Sequence, residues 1–277
     1  MDVDGNVYCL EKEDGKVIWQ TALELGNTIG TSSAICINNG VIFAGTARTV
    51  TALSLDDGSV KWSNNRNRGE NSPAEFIVCG DKLIVNSHWD SLAALNAESG
   101  KALWDNKDED IRFRSSTPIA VDDNTLLVAD DDAIMLVDMN SGNITSKTNF
   151  DEYSFTSSAQ PVLLDGVAYI PTSNDGIVAF DLNSKKIVWS FETGESILFT
   201  APYAGKDRKI VESSPVIDDE NIMFGANDGF IYTVNAKSGE LVDKQQAGSA
   251  VLGKLAVSSD RFYAGTFDGY VVCYDIK

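Results

Sequence analysis

The stretch DGNVYCLEKEDGKVIW, residues 4–19, joins an apolar strand pattern to a glycine turn and ends on a tryptophan. The same pattern returns at 49–62, 91–104, 133–146, 176–189 and 230–243, and its first strand returns at 268–277. One strand position can be followed through all copies: Val7, Val50, Leu92, Ile134, Ile177, Ile231 and Val271. Most steps between these positions are about 40 residues, which indicates a solenoid, a propeller or a similar array.

The local pattern of each repeat favours strands. Four short runs of β-branched and aromatic residues are separated by turns such as Asp57-Gly58 and Ser99-Gly100, without helical periodicity. Four strands per unit are typical of a β-propeller blade. We therefore predict an all-β propeller of four-stranded antiparallel blades, with strands A to D running outward from the centre.

The copies of the repeat predict the number of blades. Seven blades are visible, of which the first lacks strands A and B and the last lacks strand D. We expect a single propeller domain over 1–277 that is a fragment of a longer chain, with eight blades possible in the intact protein.

The repeat resembles that of the PQQ-like β-propellers, a family that includes quinoprotein alcohol dehydrogenases and the propeller lipoprotein of the BAM complex. The resemblance rests on the unit D-G-x-V-Y-x-L-x-x-x-x-G-K-x-x-W and covers the whole chain. It implies that one tryptophan per blade docks between neighbouring blades, at Trp19, Trp62, Trp104 and Trp189. Ser146 and Asp243 occupy this position in two blades, where different packing is expected.

The resemblance does not extend to quinoprotein chemistry. Similar dehydrogenases are about twice as long and carry two adjacent cysteines over the cofactor, whereas Cys9, Cys36, Cys79 and Cys273 are far apart. Each of the four lies in an apolar run, so we expect a free thiol that is buried and packs like a small apolar side chain. We expect no cofactor, neither PQQ nor calcium, and no metal.

The net charge of the chain limits the classes of molecule that it is expected to bind. The net charge of −19 disfavours binding to nucleic acid and to anionic membrane surfaces. The apolar runs are too short for a membrane-spanning helix, so we expect no direct membrane insertion. The sequence does not identify the compartment, although the resemblance implies a periplasmic, envelope or extracellular location.

The candidate site lies on the face formed by the D–A and B–C loops, because this face is the more varied and the hairpin turns such as Asp57-Gly58 and Ser99-Gly100 fall on the other face. An insertion lengthens the D–A loop at 193–213, and loops of this length are often functional. Simple tolerance of insertions and solvated ion pairs, such as Arg68 with Glu70, are the alternatives. The ligand- or partner-binding candidates on this face are Arg48, Arg68, His88, Trp89, Arg112, Arg114, Tyr153, Tyr203 and Arg208.

No catalytic constellation is evident in the sequence. His88 is the only histidine, and no nucleophile elbow accompanies it. The first hypothesis is therefore a non-catalytic scaffold that binds a protein, a peptide or a small anionic ligand. The alternative is an accessory propeller of a larger exported enzyme, such as a hydrolase, with its catalytic domain upstream; a PQQ-dependent dehydrogenase is a third hypothesis.

Overall fold

The computed structural model describes residues 1–2, 4–24, 35–46, 49–65, 76–87, 91–106, 117–198, 208–258 and 260–276. These residues form 25 strands and no helix, and therefore no helix that could span a membrane. The strands of the first three sheets are β1 (Asn6–Leu10), β2 (Val17–Ala22), β3 (Ile35–Asn38), β4 (Val41–Gly45), β5 (Val50–Ser54), β6 (Val60–Asn64), β7 (Ile77–Cys79), β8 (Lys82–Ser87), β9 (Ser91–Asn96) and β10 (Ala102–Asn106).

The remaining strands form four further sheets. They are β11 (Ile119–Ala120), β12 (Thr125–Asp130), β13 (Ala133–Asp138), β14 (Ile144–Asn149), β15 (Val162–Leu164), β16 (Val167–Pro171), β17 (Ile177–Asp181), β18 (Lys186–Phe191), β19 (Val216–Asp218), β20 (Asn221–Gly225), β21 (Phe230–Asn235), β22 (Leu241–Gln246), β23 (Ala256–Val257), β24 (Arg261–Gly265) and β25 (Val271–Asp275).

Strands that follow one another in the chain are neighbours in the same sheet. Within the described residues the first sheet has two strands, the next five have four each and the last has three. This is the arrangement that the repeats predict. The chain divides into two compact units, residues 1–127 with 136–146 and residues 128–135 with 147–277. That 1–277 forms one propeller domain stays a prediction.

The second and third strands of most four-stranded sheets are buried on both faces. For example, five of the six residues of β12 and four of the five of β20 are buried. A strand covered on both faces needs a continuous apolar run, which explains why these strands do not alternate polar and apolar residues. In the second unit, Phe224, Tyr232 and Val234 belong to one such core cluster.

The last hairpin of a repeat contains a bulge that the sequence pattern does not reveal. In the first sheet Cys9 pairs with Trp19 and Leu10 pairs with Val17, so Ile18 has no partner across the ladder. Corresponding register shifts occur between β5 and β6, β9 and β10, β17 and β18, and β21 and β22. The bulge exposes Val17 and Ile18, which are adjacent on the strand.

The tryptophans of these hairpins lie on glycines of the following sheet. A Cβ built on Gly58 would lie 2.4 Å from the indole of Trp19, and one on Gly100 would lie 2.5 Å from that of Trp62. Gly142 and Gly239 are in the same relation to Trp104 and Trp189, with distances of 2.5 and 2.6 Å. Each indole Nε1 also donates to a carbonyl three residues before that glycine, at Leu55, Ala97, Met139 and Ala236.

Two outer strands differ from this pattern. Ser146 stands in the tryptophan position of β14, and Asp243 stands in that of β22, where it accepts a hydrogen bond from Gln245 at 2.8 Å. The turn before β18 carries Lys185 in place of glycine, with φ of +55°. The sheet that follows the tryptophan-free β14 is thus the one whose turn lacks the glycine.

The four cysteines are free thiols that lie in strands, as expected. Cys9, Cys36 and Cys79 are only half-buried, and Cys273 is exposed. The expectation of buried positions was therefore wrong for Cys273. It lies on β25, whose residues alternate between exposed and half-buried, and its side chain falls on the exposed side.

Candidate functional site

Two of the predicted site residues, Tyr153 and Arg208, lie in the described part of the chain. The others are outside the described residues: Arg48, Arg68, His88, Trp89, Arg112, Arg114 and Tyr203. The structure therefore defines the candidate face in the second unit, around the two ends of the 193–213 loop.

The two ends of this loop are hydrogen-bonded to each other. The amide of Ser196 donates to the carbonyl of Arg208 at 3.0 Å, and the amide of Ile210 donates to Ser196 Oγ at 3.0 Å. The amide of Ile197 donates to the carbonyl of Asn227 at 2.9 Å, and the amide of Asn227 donates to the carbonyl of Ile210 at 3.1 Å. The loop base is thus fixed to the turn between β20 and β21.

The same loop base is also fixed to the turn between β16 and β17. The amide of Lys209 donates to the carbonyl of Asn174 at 3.0 Å, and the amide of Gly176 donates to the carbonyl of Lys209 at 2.7 Å. Val211 continues this pairing with a bond to Thr172 at 3.1 Å. One D–A segment therefore joins two B–C turns, and this pairing gives the face a rigid base.

Several charges gather at the loop base. The ammonium of Lys209 forms an ion pair with Glu192, which raises the pKa of Lys209. Burial raises the pKa of the Asp175 carboxyl, and the negative charge of Glu192 adds to this effect. Lys209 and Arg208 act in the opposite direction on Asp175. The cluster contains both signs of charge, so it is not a purely cationic receptor for anions.

A buried carboxylate fixes the start of the loop. Asp228 accepts hydrogen bonds from the Tyr232 hydroxyl and, at 2.8 Å, from the amide of Gly194. Burial raises the pKa of Tyr232, and its bond to Asp228 adds to the shift. A Cβ on Gly194 would lie 2.6 Å from the carboxylate, so only glycine permits this close approach.

Hydroxyl groups in the D–A loop between β14 and β15 bind to the loop base and to the turn between β16 and β17. Ser173 and Thr156 share a hydrogen bond of 2.7 Å. The Ser157 hydroxyl donates to the carbonyl of Val211 at 2.6 Å. Glu212 accepts from both the amide and the hydroxyl of Ser158, at 2.9 and 2.6 Å. These bonds fix the segment at 156–158 to the turn between β16 and β17 and to the end of the 193–213 loop.

Tyr153 lies in the same D–A loop and is half-buried. Its ring contacts Phe150 and Phe155, with centroids 6.5 and 6.2 Å away, and its amide donates to the carbonyl of Phe150 at 3.1 Å. Phe155 itself is 1% exposed and belongs to the core. Tyr153 therefore presents only its outer part to a ligand.

Exposed apolar side chains stand on the rigid base. Ile197, Phe267 and Tyr270 are 60%, 62% and 69% exposed. A Cβ built on Gly229 would lie 3.4 Å from Ile197 Cδ1. It would lie 3.5 Å from the carbonyl carbon of Ser249. The amide of Phe267 donates to Ala250, the residue after Ser249. The 193–213 loop and the turn at 266–270 both lie next to the segments around Gly229 and Ala250.

The sequence analysis did not single out Phe267 or Tyr270. A signal was nevertheless present, because the turn T-F-D-G-Y at 266–270 corresponds to A-N-D-G-F at 226–230. In the earlier turn Asn227 is buried, whereas Phe267 occupies the same position and is exposed. An exposed aromatic residue at a turn position that elsewhere holds a polar residue indicates a contact surface.

The described residues contain no group of three or more His, Cys, Asp or Glu side chains arranged to hold a metal ion. Outside the described residues lie His88 and Trp89, so the structure does not test the histidine. Within the described surface, hydrogen-bonded turns and exposed apolar groups are suited to contact with another molecule.

Comparisons with known proteins agree with the repeat pattern. A family model described as "Outer membrane protein assembly factor BamB" matches residues 2–110 and 88–277. Proteins of that name from Yersinia pestis and Moranella endobia are 25% and 24% identical over 97% and 96% of this chain. The chain spans 66% of the length of each of these relatives.

Solved structures show the fold. BamB from Moraxella catarrhalis matches with a TM-score of 0.66 and 18% identity, covering 100% of this chain and 92% of that one. Sqt1 of Saccharomyces cerevisiae matches with a TM-score of 0.74 and 13% identity, covering 99% and 79%. The predicted all-β propeller of PQQ-like repeats is thereby confirmed, and the chain belongs to the family of the outer membrane protein assembly factor BamB.

Proposed function

We propose that this protein is a non-catalytic propeller scaffold that binds a protein partner during the assembly of outer-membrane proteins. Its family membership and the names of its relatives support the process and a location in the cell envelope. The net charge of −19 supports a protein partner over nucleic acid.

The observation that carries the proposal is the surface formed by Ile197, Phe267 and Tyr270. Exposed aromatic and aliphatic groups supply much of the binding energy at protein interfaces when a partner covers them. Here they stand on loops whose backbones are hydrogen-bonded to one another, so little conformational entropy is lost on binding. The Arg208 carbonyl accepts from the amide of Ser196, the residue before Ile197, and its guanidinium would add a donor for carboxylates of the partner.

A photo-crosslinking experiment in cells of the source organism tests this proposal. A photoreactive phenylalanine analogue at position 267 should form a covalent adduct with an envelope protein, identified by mass spectrometry. Lys237 provides the matched control, because it is exposed in the same unit but lies in the turn between β21 and β22. Equal adducts at both positions, or adducts only at position 237, would contradict the proposal.

A pair of substitutions tests the role of the apolar groups. Ile197→Ser together with Phe267→Ser should abolish the adduct formed from a photoreactive group at position 270, while the far-ultraviolet circular dichroism stays unchanged. Both side chains are mainly exposed, so their removal should have little effect on stability. An undiminished adduct would show that the partner binds elsewhere.

A further inference from the structure

The turn between β3 and β4 carries Asn39-Gly40, the only Asn-Gly pair in the sequence. Both residues are exposed, and their φ angles are +47° and +74°. No described atom lies within 4 Å of a Cβ built on Gly40. The pair is therefore accessible to water, on a turn of a complete four-stranded sheet.

Asparagine is chemically labile, and its deamidation needs two groups, the side-chain amide and the backbone nitrogen of the next residue. Neither the Asn39 side chain nor the Gly40 amide forms a hydrogen bond with the described residues. The turn is held to the sheet through the Gly40 carbonyl, which accepts from the amide of Leu55 at 3.0 Å. That bond leaves the Gly40 nitrogen available for attack, and glycine has no side chain that could obstruct it.

Two exposed asparagines that are followed by serine differ in this respect; they are Asn140 and Asn183. The amide of Ser141 donates to the carboxylate of Asp138 at 2.8 Å. The amide of Ser184 donates to the carboxylate of Asp181 at 2.6 Å. In both pairs the nitrogen that would attack is already bonded to a carboxylate.

We propose that Asn39 is a site of spontaneous deamidation, a reaction with water that is independent of the surface under "Proposed function". The Gly40 nitrogen loses its proton to hydroxide and attacks Asn39 Cγ. The bond from Cγ to Nδ2 then breaks, and ammonia leaves with a proton taken from water, which restores the hydroxide. The product is a five-membered succinimide ring that contains the Gly40 nitrogen.

Hydrolysis of the succinimide gives two products. Water that breaks the bond from Cγ to the Gly40 nitrogen yields aspartate at position 39. Water that breaks the bond from the main-chain carbonyl carbon to the same nitrogen yields isoaspartate. In either case the chain has lost ammonia and gained water, and the turn carries an additional negative charge.

The turn between β15 and β16 indicates that the fold accepts the aspartate product. Asp165 and Gly166 have φ of +50° and +79° there, close to the values at Asn39 and Gly40. The amide of Leu182 donates to the Gly166 carbonyl at 3.0 Å, which is the counterpart of the bond from Leu55. Aspartate at position 39 should therefore keep the turn and the pairing of β3 with β4.

Isoaspartate has a different effect, because its side-chain methylene becomes part of the backbone. The turn then has an extra atom between Asn38 and Val41, which are partners in the ladder. Val41 also packs against the core cluster that contains Phe43. The isoaspartyl form should therefore lose pairing at this end of the sheet and be less stable than the aspartyl form.

Peptide mapping by mass spectrometry tests the proposal on the whole chain, incubated at mildly alkaline pH and sampled over days. Asn39 should convert at least about tenfold faster than Asn140 and Asn183, because its attacking nitrogen is free and belongs to glycine. Its rate should rise with the hydroxide concentration, because the nitrogen attacks only after losing its proton. Gly40→Asn keeps a residue that tolerates positive φ and should slow the conversion at least about fivefold.

Urea unfolding compares the two products. The Asn39→Asp variant should unfold in a single transition at the midpoint of the unmodified chain. The deamidated chain, which also contains isoaspartate, should show an additional transition at a lower urea concentration.

Four results would overturn the proposal. Asn39 could stay intact while Asn140 or Asn183 converts, all three could convert at the same rate, or Gly40→Asn could leave the rate at Asn39 unchanged. An Asn39→Asp variant less stable than the deamidated chain would contradict the assignment of the two products.

Discussion

Replacing Gly100 by alanine tests the contact between a turn glycine and the tryptophan of the preceding sheet. The new Cβ would lie 2.5 Å from two atoms of the Trp62 indole, so the ring or the turn must move. Alanine at positive φ costs about 1–2 kcal/mol, and overpacking costs about 1–3 kcal/mol. We expect a loss of about 3 kcal/mol in the free energy of unfolding.

Gly80→Ala is the matched control for this substitution. Gly80 has φ of +58° and open space around its Cβ position, and it lies in the turn between β7 and β8 of the same sheet. It should lose only the backbone cost of about 1 kcal/mol. Both glycines belong to the first compact unit, so the comparison holds even if the two units unfold separately.

A double-mutant cycle with Trp62→Leu isolates the steric term. In that background the indole is absent, and Gly100→Ala should cost as little as Gly80→Ala, which gives a coupling energy of about 2 kcal/mol. Urea unfolding followed by circular dichroism measures all variants. A coupling near zero, or equal losses for the two glycine substitutions in the wild-type background, would refute the reasoning.

Other substitutions test the loop base, an acidic group and the insertion. Gly194→Ala should push the Asp228 carboxylate from its partners and lower the free energy of unfolding by about 2 kcal/mol; an unchanged urea midpoint would argue against this. Asp2 has a pKa lowered to about 2, mainly by its bond to the Asn6 side chain, so its stabilising effect is complete above about pH 4 and is lost as the pH falls toward 2. Asn6→Ala should raise this pKa toward its ordinary value, and a titration by nuclear magnetic resonance that shows no change would contradict the assignment. Replacing 199–207 by three glycines should leave the melting temperature nearly unchanged, since the flanking segments are hydrogen-bonded to the sheets; a collapse of the fold would show that the loop is structural.

The sequence predicted part of the candidate site. The length of the loop at 193–213 pointed to this face, and its fixed ends agree with a role for the loop. Of the arginine candidates only Arg208 lies in the described part of the chain, and all of them stay predictions. The exposed apolar residues Phe267 and Tyr270 are conspicuous only once their burial is known.

The repeat by itself determined the fold class, the strand order and the turns. A period of about 40 residues with glycine at the same turn position leaves few alternatives, because each unit must bury its apolar strands against its neighbours. Only the tertiary structure decided which surfaces remain open. Gly58 and Gly80 both have positive φ, yet a Cβ on Gly58 would lie 2.4 Å from the Trp19 indole, whereas no described atom lies within 4 Å of one on Gly80. That difference depends on residues from another sheet, about 40 positions away, and local sequence cannot encode it.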